Sequence, residues 1–374
     1  MLATNFEIIN KRRPGPVGVT DIKDFELRKN GEIDAQEILV TPRISLYAMD
    51  FENGQAVFVE TGTPAELSQA PFYYQAQYES AVRVITLPFE ALIQLAQSVK
   101  VDDSKLIFIH STGRSGSTLA SKIFAQLPGV INMSEPDVLT HVVIARFMKP
   151  DMRDMFRMLL DACIRLLCKT PASTAWVIKG RSWVIELGDW LHQLYPKAKN
   201  LYLYRDAESW IKSSLSAFVA DVERTAEDWR REENEVRGWV KLLVPSIARY
   251  DPGQHLNATG LLSLLWLDNM QRYTELHKSG VEMLAIQYPS WKLEPRRTAV
   301  SMLDYCSCCP DDLTAIEGIL TQDSQAGSVV SQDAVKKKNS PAQYFDRTEM
   351  DRHLLNHAYL RTADFEVQNT LKLR

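Results

Sequence analysis

The stretch from Lys105 to Gln126, KLIFIHSTGRSGSTLASKIFAQ, decides how the chain is read. Leu106 to Ile109 is a short apolar run of the kind that forms a buried strand. A polar turn follows, Ser111-Thr112-Gly113-Arg114-Ser115-Gly116-Ser117-Thr118, and then a helical pattern with apolar Leu119, Ile123, Phe124 and Leu127. Glycines in such a turn let backbone N–H groups converge, and a helix N-terminus adds unpaired donors and the positive end of its dipole. Arg114 contributes a planar, permanently charged fork suited to phosphate or sulfate oxygens, and Ser117 and Thr118 place hydroxyls at the helix start. Strand, turn and helix together predict an anion cradle. The nucleoside-triphosphatase form of this cradle requires G-x-x-x-x-G-K followed by Ser or Thr. Here Gly116 is followed by Ser117 and Arg114 is the turn's cation, so a Mg-nucleotide site is disfavoured.

At Gly113-Arg114-Ser115-Gly116-Ser117-Thr118-Leu119 the sequence resembles the sulfotransferase superfamily, most nearly its tyrosylprotein, carbohydrate and bacterial branches. The resemblance implies that this turn binds the 5′-phosphosulfate of 3′-phosphoadenosine 5′-phosphosulfate (PAPS). A second family element is a strand ending in arginine, with a serine eight residues later on the next helix. Asn200-Leu201-Tyr202-Leu203-Tyr204-Arg205-Asp206 and Ser213 match it. Arg205 and Ser213 are therefore expected on the donor's 3′-phosphate, the competing expectation being that Arg205 pairs with Asp206 or Glu208. The resemblance spans roughly residues 105 to 320 and is strongest at these two stretches.

Between them, Val130 to Met133 reads as a strand with Glu135 just past its end, the side on which α/β sheets bind ligands. An acceptor hydroxyl must lose its proton as sulfur is attacked, and the resemblance makes Glu135 the general base. Equally open is that Glu135 or Asp137 caps the next helix, and His141 and Asp137 are competitor bases. Trp176-Val177-Ile178-Lys179 is another strand ending in a cation. The resemblance places Lys179 at the transferred sulfuryl group, stabilising the leaving oxygen. Arg181 is a weaker candidate for holding acceptor or donor phosphate.

Repeated strand–helix units predict an α/β P-loop fold of three layers, with a mostly parallel sheet flanked by helices. The expected division is an N-terminal α+β appendage over residues 1–100 and a main domain over 101–374. The appendage reading rests on β-rich runs at Glu37–Val40, Ile44–Met49, Ala56–Val59 and Val82–Ile85, with Asn53-Gly54 as a hairpin signal and Pro88–Val99 as a helix. Further on, 141–169, Trp183–Leu194, Ala207–Phe218 and Leu261–His277 read as helical and Val281–Tyr288 as a strand. Related enzymes continue that last strand as Tyr-Glu-Asp-Leu, whereas this chain has Tyr288-Pro289-Ser290-Trp291. A region with Trp229, Trp239 and Leu242 reads as amphipathic helix, and the resemblance implies that it belongs to a helical cap of the acceptor site around 220–280.

The 374 residues carry 43 basic and 47 acidic side chains, a net charge of −4, so no global field favours nucleic acid or acidic membranes. Neither a signal peptide nor a membrane span is expected, and five clustered cysteines do not form a disulfide framework, so the expected location is the cytoplasm. Cys306-Ser307-Cys308-Cys309 and the pair His353/His357 lack the remaining ligands of a metal site, and no metal is expected. Lys336, Lys337 and Lys338 read as a solvated run or a closing basic segment. The overall expectation is sulfuryl transfer from PAPS to a hydroxyl, less readily an amine, of a small-molecule, carbohydrate or peptide acceptor. The rivals are a P-loop small-molecule kinase and a catalytically inactive nucleotide-binding protein on the same fold.

Overall fold

The computed structural model describes residues 1–13, 18–62, 64–218, 224–225, 244, 246–247, 251, 253–310, 312–322 and 345–355. Pro14 to Pro16, the Trp229–Leu243 part of the expected cap, the Lys336–Lys338 run and His357 lie outside the described residues. Two compact units are interleaved along the chain. The first takes Met1–Phe108 and Phe124–Lys199, and the second takes Ile109–Ile123 and the chain from Asn200 onward.

In the first unit, β1 (Leu2–Lys11), β2 (Phe25–Asp34), β3 (Ile44–Asp50), β4 (Gln55–Glu60) and β5 (Arg83–Pro88) form an antiparallel sheet in the order β2-β1-β5-β4-β3. Asn53-Gly54 does turn β3 into β4, with Gly54 at φ +65°. Side-chain alternation sends Ala56, Phe58, Ile85 and Leu87 to one core and Val57, Val59 and Val84 to another, as a period of two requires. The first of these cores also contains Val142 of α6 (Val138–Met148), Leu159 and Leu160 of α7 (Arg153–Leu167), and Trp176 and Ile178 of β8 (Ala175–Lys179). The N-terminal sheet and the strands and helices after Phe124 thus bury their apolar faces together.

Some local expectations change. Glu37–Val40 lies in a helix, α1 (Gln36–Val40), because Asp34 Oδ1 accepts the Gln36 N–H at 3.0 Å and Thr41 N–H closes a turn on Glu37 O at 3.0 Å. The helix expected over 141–169 is broken at Lys149-Pro150, where proline supplies no N–H, giving α6 and α7 as separate helices. Only Leu284–Gln287 of the last expected strand pairs; Tyr288 already opens a helix, Tyr288–Leu293, with Pro289 in its first turn.

The chain also carries a parallel sheet flanked by helices. Its strands are β6 (Leu106–Ser111), β7 (Val130–Ser134), β8, β9 (Lys199–Tyr204) and, after a two-residue ladder of β10 (Arg224–Thr225) with β11 (His255–Leu256), β12 (Leu284–Gln287). Their order is β12-β9-β6-β8-β7. In the first unit β7 runs parallel to β8 with Ser134 opposite Lys179; in the second β9 runs parallel to β12 with Tyr204 opposite Gln287. Helix α5 (Ser117–Phe124) follows β6, α8 (Gly188–Leu194) precedes β9, and α9 (Ala207–Phe218) follows it.

His110 sits inside β6 at 2% exposure, and burial, aided by the positive charge of Arg272, pushes its pKa down to about 4 against a raising hydrogen bond with Asn200. A histidine lowered on folding adds stability that is fully present above its ordinary value of 6.5 and is lost as pH falls toward 4. The difference is worth about 3 kcal/mol. Urea unfolding followed from pH 7 to pH 4.5 should therefore show a falling midpoint, and His110→Asn should flatten that fall. An unchanged slope in the variant would remove His110 from the account.

Candidate active site

The turn between β6 and α5 has an unusual backbone. Gly113, Arg114 and Gly116 have φ of +75°, +49° and +89°. Glycine adopts this region freely, but at Arg114 it costs roughly 1–2 kcal/mol, so the surroundings must hold the turn in shape. They do so from β9 and α9. The Leu203 carbonyl accepts both Thr112 N–H at 3.0 Å and Ser115 Oγ–H at 2.9 Å. The Trp210 indole N–H is shared between the carbonyls of Thr112 and Gly113, each at 2.8 Å. Gly116 then starts the helix, its carbonyl accepting Ala120 N–H at 3.0 Å. Among the described residues, the amides of Ser115, Gly116, Ser117 and Thr118 have no acceptor. Four such donors at the positive end of a helix are an arrangement chemically suited to an anion.

The second sequence element reaches this turn directly. Arg114 Nε donates to Ser213 Oγ at 3.1 Å across 99 residues of sequence. Arg205 leaves β9 two residues beyond Leu203, half-buried, with its guanidinium carbon 4.6 Å from the centroid of the Tyr288 ring. Its carbonyl accepts the Trp266 indole N–H at 2.9 Å. No described carboxylate pairs with it: Asp206 accepts Ser209 N–H at 2.8 Å, and Glu208 holds Lys212 and Arg347. Sequence reasoning missed two neighbours here, Tyr288 beneath Arg205 and Trp291, whose ring lies against Gly116. An ideal Cβ on Gly116 would stand 2.9 Å from Trp291 Cδ1.

In the first unit, Glu135 and Lys179 meet. Glu135 follows β7 in the left-handed region, φ +65°, and donates its N–H to Lys179 O at 2.6 Å. Lys179 Nζ, on a side chain 2% exposed, returns a hydrogen bond to Glu135 Oε1. The glutamate is thus fixed through backbone and side chain rather than spent as a helix cap. Lys179 has donor capacity beyond this one bond.

The alternatives to Glu135 are committed elsewhere. Asp137 is buried and accepts from Thr20 N–H at 2.8 Å and Arg181 Nη2 at 3.0 Å, with Arg181 Nε 2.8 Å from its other oxygen. Arg181 also donates to Gly18 O at 3.1 Å and stacks on Tyr74, 4.2 Å from the ring centroid. His141 Nε2 lies 3.1 Å from Thr20 Oγ1, and burial lowers its pKa. Asp137, Arg181 and His141 tie β7 and β8 to the N-terminal segment at Gly18–Thr20.

The five cysteines are free thiols. His353 lies 2.9 Å from Glu349 Oε1, a partner within its own helix. Among the described residues, no group of three or more His, Cys, Asp and Glu side chains is arranged to hold a metal ion, and no helix is long and apolar enough to cross a membrane.

No protein-family model and no curated protein matches the sequence. Solved structures give distant likenesses. One is the sulfotransferase domain from the curacin biosynthetic pathway, at 15% identity over 68% of this chain and 97% of that chain, TM-score 0.39. Another is the sulfotransferase domain from the Synechococcus PCC 7002 olefin synthase, at 16% identity over 66% and 86%, TM-score 0.36. A third is the sulfotransferase STF9 from Mycobacterium avium, at 12% identity over 79% and 83%, TM-score 0.39. At such identities and overlaps, function has to be argued from the chain's own residues.

Proposed function

We propose that the protein is a sulfotransferase that moves a sulfuryl group from PAPS to an acceptor hydroxyl, or an amine, on a small molecule, carbohydrate or peptide. The observation that carries this reading is the Arg114–Ser213 hydrogen bond, which joins the glycine turn to the strand-ending arginine element. The turn fits the donor's phosphosulfate because it offers amide donors without acceptors, the Ser117 and Thr118 hydroxyls and the Arg114 guanidinium. PAPS supplies an activated sulfur bonded to a good leaving oxygen.

In this reading Gly113 to Thr118 hold the 5′-phosphosulfate, and Arg205 with Ser213 hold the 3′-phosphate. Glu135 takes the acceptor proton as the acceptor oxygen bonds to sulfur. Lys179 stabilises charge on the bridging oxygen as its bond to sulfur breaks. Catalysis is then positioning and electrostatics, as in phosphoryl transfer.

Calorimetric titration with 3′-phosphoadenosine 5′-phosphate, ADP and Mg-ATP tests the donor assignment. Tight binding of the first alone is expected. Because Arg205 has no described carboxylate partner, Arg205→Ala should leave the fold intact and weaken that ligand by roughly 10- to 100-fold, the scale of a charged hydrogen bond. Adenosine 5′-phosphate, lacking the 3′ group, should be unaffected. Preference for Mg-ATP would make the protein a kinase, and tight 3′-phosphoadenosine 5′-phosphate binding without transfer to any acceptor would make it a binding protein.

A further inference from the structure

A further N–H group lies against the turn, from a residue outside the sequence motif. Trp291 is 5% exposed, and among the described residues its buried indole N–H has no hydrogen-bond partner. Buried tryptophan N–H groups normally find an acceptor, because leaving one unpaired forfeits its solvation. Four other tryptophans obey the rule: Trp210 bonds Thr112 and Gly113, Trp266 bonds Arg205 O, Trp176 bonds Thr170 O at 2.9 Å and Trp183 bonds Thr140 Oγ1 at 3.2 Å. Trp291 breaks it at a particular place. Its pyrrole edge faces Gly116, where an ideal Cβ would stand 3.1 Å from Nε1. Gly116 is the residue from which α5 departs, and its amide and the next two are themselves without acceptors among the described residues.

We infer that Trp291 Nε1–H is a further donor of the anion cradle and bonds an oxygen of the 5′-phosphosulfate. This rests on the proposed donor-binding reading and extends it to a residue outside the turn. The short helix Tyr288–Leu293 then serves the donor twice within one turn, Tyr288 stacking on Arg205 and Trp291 facing Gly116. It also explains why the second glycine of the turn is needed for close approach of the indole as well as for its φ.

Trp291→Phe keeps a ring of similar packing and removes the N–H. In calorimetry it is expected to weaken 3′-phosphoadenosine 5′-phosphate and adenosine 5′-phosphate by a common factor, roughly 10-fold or more, since both carry the 5′-phosphate. The melting temperature of the unliganded variant should not fall. If the unmutated protein binds both ligands and the variant binds them equally well, the inference is wrong while the donor reading stands. Weakening confined to the 3′-phosphorylated ligand would also overturn it, by placing the N–H on the other phosphate. Binding of neither ligand by the unmutated protein removes both readings together. Should the variant fold poorly, the assigned indole N–H resonance of the unmutated protein provides the same test. It should move downfield on adding 3′-phosphoadenosine 5′-phosphate and exchange more slowly with solvent, and an unmoved resonance in the saturated protein refutes the contact.

Discussion

Glu135→Gln is expected to lower sulfuryl-transfer turnover by about 10²- to 10⁴-fold, the range that general bases contribute, while donor affinity stays unchanged. Glutamine keeps the length of the side chain and can still accept from Lys179 through its amide oxygen, so the geometry after β7 is preserved. What it cannot do is take a proton from an acceptor. The variant has a second, separable cost. It leaves the Lys179 ammonium, on a side chain 2% exposed, without its counter-charge, and breaking a buried ion pair typically costs about 3–5 kcal/mol. The melting temperature should fall accordingly. Combining Glu135→Gln with Lys179→Met replaces the pair by a neutral one and should recover much of that stability, yet turnover should stay low. Turnover returning with stability would mean that the pair only holds β7 to β8. Steady-state rates beside thermal melts decide between the two.

Gly116→Ala is expected to abolish most donor binding, a loss on the order of 100-fold. Two penalties add. A side chain at φ +89° costs roughly 1–2 kcal/mol. The new Cβ also stands 2.9 Å from a Trp291 ring that is itself packed, and overpacking of that kind costs about 1–3 kcal/mol. The ring or the turn must move, and either movement displaces donors from the anion. Gly54→Ala supplies the control: its φ is +65° but nothing lies within 4 Å of the new Cβ, so strain alone operates there. That variant should lose about 1 kcal/mol of stability and no affinity for 3′-phosphoadenosine 5′-phosphate. Equal affinity losses in both variants would mean that the effect at Gly116 is not local.

The part of the site legible in the sequence was the part written locally. Leu106 to Phe124 announces strand, turn and helix through an apolar run, two glycines and a helical apolar period, and the structure has these elements in that order, the strand running on to Ser111 and the helix ending at Phe124. Arg205 and Ser213 were found through the resemblance, because they match the family's strand-ending arginine and the serine eight residues later. The misread pieces are those where a local signal is ambiguous or a distant partner decides. Glu37–Val40 is too short an apolar run for periodicity to separate strand from helix, and Asp34 tips it to helix. β1 and β2 went unread because LATNFEIINK and FELRKNGEID alternate only weakly and stand half-exposed. Asp137 and Arg181 looked like a base or cap and a phosphate ligand; their mutual pairing, 44 residues apart, depends on parallel neighbours that no sequence window contains. Trp291 was noted only as a departure from the related pattern, since nothing near it in sequence points to Gly116.

The anchoring of the glycine turn on Leu203 has a consequence for how the protein is made. Ser115 and the carbonyl that holds it are 88 residues apart, and that same Leu203 oxygen also accepts the Thr112 N–H. At about 5–20 residues per second, a ribosome needs roughly 4–18 s to bridge that interval. Throughout it, the nascent chain carries the left-handed Gly113-Arg114 backbone with nothing to enforce it. The contacts that hold the turn are therefore complete only once β9 and then α9 have emerged, and a chain terminated before Leu203 contains the whole glycine turn and none of these contacts.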